Sequence, residues 1–454
     1  MKNVKKWMIL IILSCIPLLF TETALFTHQI KLFFAITTAS ILLVCFDLTD
    51  SLVASIVLFL GYSIFDVADK SVIFLSWGND MTWMLIGSLV LASILEQTGV
   101  MVRCAYFIIC KTNGSYAKMI WGVYLAALFV AFLTSVTGFP LFATLVFGIC
   151  SGLGYRPGSR EANGIVFAAM TGGIAPFAWI YNPINAGVGA AVVNLFDSSL
   201  TISWLSYLTT GLPWLLFDLV WMLLISHVFF RCSMNVDTAF FRTEYEKLGP
   251  VRPDEKKAVC LAVLVVGYLI ASSFLALPSG YAFMLLPWLA FLPGVGLGSD
   301  RVLRGINYSI IFFTVSCLSI GSVGVSTGVD RFIADMVTPM LQGLSESGYV
   351  AGVWLIASLS NLLLTPVAVT TALGVPIMQI GIDLGIPPLA SLFTILMNVS
   401  NVFMPHENTA YLMYFAFGLF TMKDFIKYNT IRMILHLIFM LLVIVPWWKL
   451  TGVM

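Results

Sequence analysis

The feature that most constrains this chain is the recurrence of apolar runs of about twenty residues with few charges inside them. A membrane-spanning helix needs roughly 20 mostly apolar residues, and about ten to twelve segments meet that criterion. The chain is 60% hydrophobic and 10% charged, with a mean hydropathy of +0.99. A soluble globular chain carries about 25% charged residues. No soluble fold hides so much apolar surface. The runs are also too long for the roughly ten-residue alternating strands of a membrane barrel. The composition therefore predicts an all-α polytopic membrane protein.

The charged residues report orientation. MKNVKKWMILIILSCIPLLF starts basic and continues apolar, as a signal peptide does, but no small-residue cleavage site follows in TETALF. It reads as an uncleaved first helix of a multi-pass protein of the cell (inner) membrane. Lys2, Lys5 and Lys6 keep the N-terminus cytoplasmic. The longest polar stretch, residues 231–257, carries Arg231, Arg242, Lys247, Arg252, Lys256 and Lys257 and reads as a cytoplasmic connector. It is a plain solvated loop or, through Phe240, Phe241 and Tyr245, a short helix on the membrane surface. A net charge of +1 argues against a nucleic-acid partner. The eight cysteines lie mostly within apolar runs and form no CxxC pair, so they read as small hydrophobes.

The two sides of the connector resemble each other. Thr98-Gly99-Val100 recurs as Thr327-Gly328-Val329, 229 residues on, and Pro140, Thr144 and Gly148 recur as Pro366, Thr370 and Gly374, 226 residues on. LGYRP at Leu153 matches LGIPP at Leu384, and Asn185 in NPINA matches Asn408 in PHENT. The order is kept and the offsets vary by eight residues. A two-fold internal repeat in a polytopic chain is the sequence sign of a secondary transporter. Residues 81–99 and 306–328 carry Gly, Ser and Thr and then break, and are expected to be re-entrant hairpins, tolerated only where they are buried in protein or line a cavity. The expected organisation is 1–74 N-terminal scaffold helices, 75–230 first repeat, 231–257 connector, 258–300 scaffold helices of the second repeat and 301–454 second repeat.

Two pairs of segments carry the chemistry. TSVTGFPLFAT (134–144) and SNLLLTPVAVTT (360–371) cluster hydroxyl or amide residues before a proline. A proline inside a helix frees the carbonyl four residues earlier, here on Val136 and Leu362. Freed carbonyls with Ser and Thr oxygens suit Na⁺, and the start of the half-helix that follows suits an anion. The bland alternative is a simple kink. The second pair, TGGIAPFAWIYNPINAG and NVSNVFMPHENTAY, places proline and asparagine in apolar context. Asn185 and Asn408 are expected to cap a half-helix, bond a carboxylate or simply form a turn. Glu407, beside His406, is a proton carrier, an ion ligand, a counter-charge or an interfacial residue. Asp218, inside LLFDLVWMLL, is buried by pattern and has no counterpart in the second half. No HExxH, GxSxG or Walker motif is present, and GVGLG is a lone glycine loop, so an enzyme or an ATP-driven pump is not expected.

These segments resemble the divalent anion/sodium symporter (DASS) family of the ion transporter superfamily. The resemblance runs from about residue 75 to the C-terminus, through FLSWGNDMTWMLIGSLVLASILEQTGVMVR, EYEKLGPVRPDEKK, SNL at Ser360, FMPHENTAY and FGLFTMKDFIKY. It implies an inverted two-fold repeat with two re-entrant hairpins and broken transmembrane helices, a homodimer in lipid, and elevator movement. It also implies Na⁺-coupled symport of a small carboxylate or dicarboxylate-type anion, with no organic cofactor. The second Ser-Asn-Thr motif falls on Ser360, Asn361 and Leu362. The first falls on Ser135-Val136-Thr137 or on Thr134-Ser135-Val136. Na⁺ is thus assigned to Thr134, Ser135, Val136, Ser360, Asn361 and Leu362. The substrate is assigned to Thr134, Ser135, Thr137, Pro183, Asn185, Ser360, Asn361, Thr365, Glu407, Asn408 and Thr409. Leu362 replaces a hydroxyl, and both Pro-Pro-Asn positions differ, so the departures weigh on the substrate rather than on the fold. The alternative is the same fold carrying a zwitterion or cation, or exchanging protons through Glu407.

Overall fold

The computed structural model describes all residues except 1, 47, 112–114, 135–138, 157, 233–238, 276, 363, 399–400, 405–406, 408–410, 412–413 and 416–417. Among the described residues there are helices, turns and loops but no strand. Among the described residues eight helices are long and apolar enough to cross a membrane, or up to nine if one bent pair counts as a span. We number the principal helices α1 Lys2–Leu19, α2 His28–Cys45, α3 Ser51–Ile64, α4 Asp80–Thr98, α5 Val100–Cys110, α6 Tyr116–Leu133, α7 Phe139–Gly152, α8 Arg160–Ile174, α9 Val188–Phe196 and α10 Trp204–Gly211. The remainder are α11 Trp214–Leu224, α12 Ala239–Lys247, α13 Pro253–Leu275, α14 Tyr308–Thr327, α15 Val329–Leu341, α16 Glu346–Asn361, α17 Pro366–Asp383, α18 Pro388–Met397, α19 Met422–Phe439 and α20 Val445–Thr451.

The repeat is visible in the way helices end. α4 and α14 stop at Gly99 and Gly328, whose φ angles are +81° and +82°. Glycine takes this left-handed conformation without the steric cost of a Cβ, so it stops a helix and redirects the chain. Each stop is followed at once by a shorter helix, α5 or α15. The segments 81–99 and 306–328 are therefore not the re-entrant hairpins. α4 and α14 have 19 and 20 residues, enough to span as single helices.

The hairpins lie one element later. Tyr349, near the start of α16, donates its hydroxyl to Ile377 O of α17 at 2.9 Å. That contact requires α16 and α17 to run antiparallel about a tip at 362–365. In the first repeat the Tyr116 ring, at the start of α6, lies 6.4 Å from that of Tyr155, just past the end of α7. α6 and α7 thus run antiparallel. A third helix runs beside each hairpin: Tyr116 donates to Glu161 O near the start of α8, and Tyr349 Oη lies 2.8 Å from Ser391 Oγ in α18.

The bent pair α10–α11 shows that the hairpins enter from opposite sides. Trp447 and Trp448 donate to Thr209 O and Thr210 O at its first half. Lys449 of the same C-terminal helix pairs with Glu346 at the open end of α16. At the other end of the bent pair, Phe229 O accepts from Arg160 beside the open end of the first hairpin. The chain is thus an all-α polytopic protein with an inverted repeat, two hairpins and broken helices.

The connector is tied to the repeat it follows. Arg103 of α5 reaches Glu255 at 2.6 and 3.2 Å and donates to Gly249 O at 2.9 Å. Arg252 donates to Thr98 O at 2.6 Å, capping a carbonyl that α4 leaves unbonded at its end.

Close helix contact depends on glycine at one point in particular. A Cβ on Gly172 of α8 would collide with Tyr124 O of α6, a backbone atom. Gly172→Ala is expected to force α6 and α8 apart and destabilise the protein by about 1–3 kcal/mol. A lowered melting temperature in detergent, with Gly173→Ala (where a Cβ meets open space) as control, checks this.

Candidate functional site

The tip of the second hairpin meets the second break in the interior. The first break, residues 175–187, separates α8 from α9 and contains a 3-10 turn at Ala175–Ala178 and a π turn at Pro183–Gly187. Pro176 and Pro183 stand at the starts of these turns, where a missing N–H costs nothing. The second break, 398–421, follows α18 and is described in part.

Asparagine side chains satisfy the backbone that these breaks release. Asn182 Oδ1 accepts from Asn185 N at 2.8 Å, and Asn182 Nδ2 donates to Ile180 O at 2.7 Å. Asn185 Nδ2 reaches Phe177 O at 3.1 Å, Tyr207 Oη at 2.7 Å and Leu396 O at 3.0 Å. The last contact joins the first break to the end of α18. In the second repeat Asn398 Nδ2 donates to Trp354 O and Ser358 Oγ, at 3.2 and 2.9 Å. Asn401 Nδ2 donates to Asn398 Oδ1 at 2.8 Å.

Asn361 is the last residue of α16 and lies at the tip of the second hairpin. It is 2% exposed, and its Nδ2 reaches Asn401 O at 3.5 Å. Its Oδ1 is buried with no hydrogen-bond partner among the described residues. A buried acceptor left open costs about 1–3 kcal/mol and calls for an explanation. Thr365, four residues on, caps α17 by accepting from Ala368 N at 3.4 Å. Pro366 is the first residue of α17 and Pro140 the second residue of α7, so neither sits in a helix interior where an intrahelical bond would be lost. α17 begins at the tip of the second hairpin, and a helix start is the kind of end that suits an anion.

The remaining candidates divide as follows. Pro183 and Asn185 are buried in the first break. Thr134 is 0% exposed and gives its hydroxyl to Val130 O at 2.8 Å, closing the last turn of α6. Ser360 is in the last turn of α16, its carbonyl accepting from Leu364 N at 2.8 Å, and Leu362 is half-buried beside it. Ser135, Val136, Thr137, His406, Asn408 and Thr409 lie outside the described residues. Glu407 is 2% exposed, and its carboxylate accepts from Phe403 N at 3.0 Å and Met404 N at 2.6 Å. The carboxylate thus holds its own turn.

Sequence reasoning passed over Asn182, Tyr207, Asn398, Asn401 and Arg432. The i, i+3 pair in NVSN was a readable signal, as was the lone arginine in TIRMILHLIF. A cavity of about 490 Å³ opens beside the first break, lined by Tyr181, Gly187, Asn194, Ser203, Ser279 and Asp80 among others. That volume falls within the range of small-ligand sites, about 300–1,000 Å³.

Residues 32–397 match the citrate transporter (CitMHS) family. Among solved structures, the YdaH transporter of Alcanivorax borkumensis, described as having an unusual topology, is similar in fold: TM-score 0.53, 14% identity, 84% of this chain and 88% of that chain covered. No curated protein matches this chain. The match supports the ion transporter superfamily character that the motifs suggest, through the citrate transporter family rather than through the DASS family. The chain belongs to the citrate transporter family and is a secondary membrane transporter, not an enzyme.

Proposed function

We propose that this chain symports a small citrate-type carboxylate with Na⁺, and that the hairpins and breaks move together as an elevator against the scaffold around α2, α3 and α13. The observation that carries the reading is the buried, unpartnered Oδ1 of Asn361 at the tip of the second hairpin. A hard oxygen with no protein donor suits an alkali cation. The start of α17, capped by Thr365, lies four residues away and suits a carboxylate. Family membership supports citrate as the first anion to test. The cavity beside the first break supports a route from the face opposite the connector.

The deciding experiment is uptake into liposomes containing the purified protein. Citrate uptake is expected to need an inward Na⁺ gradient and to fall to background when K⁺ or choline replaces Na⁺. If citrate, succinate, malate and sulfate all stay outside with Na⁺ present, the anion reading is wrong.

Asn361→Ala removes the open acceptor and only one long hydrogen bond. The half-saturating Na⁺ concentration is expected to rise at least tenfold, about 1.4 kcal/mol, with a melting temperature near wild type in the absence of Na⁺. An unchanged Na⁺ dependence removes Asn361 from the ion site. Glu407→Gln keeps an acceptor for Phe403 N and Met404 N. It is expected to leave the pH profile of uptake in place, because the carboxylate is engaged with its own turn. Loss of that profile favours proton exchange through Glu407.

A further inference from the structure

Asp218 and Arg432 lie inside spanning segments, α11 and α19, on different halves of the chain. They are 3% and 6% exposed. The Arg432 guanidinium sits 5.7 Å from the centre of the Phe217 ring and is a positive charge acting on Asp218. Each residue has a second attachment, and the two lead to different breaks. Asp218 Oδ2 accepts from Trp179 Nε1 at 3.3 Å, and Trp179 belongs to the first break. Arg432 Nη1 donates to Asn401 Oδ1 at 3.3 Å, and Asn401 belongs to the second. Asn401 in turn touches Asn398 and, through its carbonyl, Asn361 at the hairpin tip. Two polar chains thus converge beside Phe217, one from Trp179 to the Asp218 carboxylate and one from Asn361 through Asn401 to the Arg432 guanidinium.

Such a pair is costly. An ionised residue at the centre of a spanning helix costs roughly 2.5–3.5 kcal/mol on the insertion scale. Well-packed apolar residues of the same volume often give equal or better stability than a buried ion pair. Arg432 borders a cavity of about 10 Å³ shared with Thr171, Tyr411, Tyr428 and Asn429. In it Tyr428 Oη and Asn429 Nδ2 are buried without partners.

We propose that Asp218 and Arg432 are a positioning pair. Their balanced charges hold the two broken segments in one register around the transport site, so transport depends on the balance between them rather than on either charge alone. The inference rests on the assignment of the tips and breaks as that site.

The test compares wild type, Asp218→Asn, Arg432→Gln and the double variant in proteoliposomes. Each single variant leaves one buried charge uncompensated and is expected to lower maximal uptake more than tenfold. The double variant is uncharged but retains an acceptor for Trp179 and a donor for Asn401. It is expected to recover to within about fivefold of wild type, a coupling that additive effects do not produce. Single variants within twofold of wild type overturn the proposal. So does a double variant that regains its melting temperature but takes up no more than the worse single one, because the pair is then only structural. If wild type takes up no carboxylate, the anion reading fails separately. The Na⁺-induced rise in melting temperature then decides for the pair: loss in both single variants with return in the double supports it, and survival in the singles overturns it.

Discussion

A backbone that leaves the helix inside a membrane must find its hydrogen-bond partners within the protein, because lipid offers none. The centre of this fold follows from that requirement. Two helices are interrupted, two helix pairs fold back as hairpins, and each interruption releases carbonyl and N–H groups. Asparagine amides supply much of the compensation. Each carries donors and an acceptor on a short, uncharged side chain, so it can serve two strands of backbone without the cost of burying a charge. Asn185 alone reaches carbonyls on two different segments and the hydroxyl of Tyr207. The breaks are therefore fastened to each other as well as to their own helices. A set of segments joined in this way can move as one body more readily than it can come apart, which is the mechanical condition for an elevator.

The sequence displayed the membrane class and the repeat, because these rest on composition and on the spacing of matched motifs, whereas the inversion came only from the family resemblance. It also picked out both tips and both breaks, because hydroxyls, amides and prolines are expensive in apolar runs. It misplaced the hairpins. Residues 81–99 carry Gly, Ser and Thr, as a re-entrant segment does, yet Gly87 is small because Phe283 O packs against it, and Ser93 donates to Val302 O. Small residues that let helices approach look the same in sequence as small residues that let a chain turn. Antiparallel folding of α6 on α7 and of α16 on α17 rests on contacts such as Tyr349 with Ile377, which no local pattern encodes. Prolines 140 and 366 were read as freeing a carbonyl four residues earlier because a proline within an apolar run does not reveal whether the helix is continuous before it.

Charges were legible as exceptions but not as partners. Asp218 stood out as an acid without a repeat counterpart, and Arg432 lay unremarked in an equally apolar helix. Only the three-dimensional arrangement puts the two together, since more than two hundred residues separate them. Glu407 stood out as well, and here the structure offers a local use for the charge. Two backbone N–H groups bind it within its own turn, as a helix or turn start often binds an acid.

The electrostatic balance at the centre bears on why a carrier of this design would couple to a cation. The buried carboxylates and guanidinium described around the breaks are Asp218, Glu407 and Arg432. Taken as ionised, they sum to one negative charge. The helix starts at the two tips each contribute roughly half a positive charge, which offsets that residue charge and leaves little for a ligand. A carboxylate with more than one negative group would then enter a site with no surplus of positive charge, in a medium where unscreened repulsion is costly. A co-bound cation at an open oxygen such as Asn361 Oδ1 supplies the missing charge. On the proposed reading, coupling follows from this deficit: without the ion the anion is not held, and without the anion the ion gains little from the site.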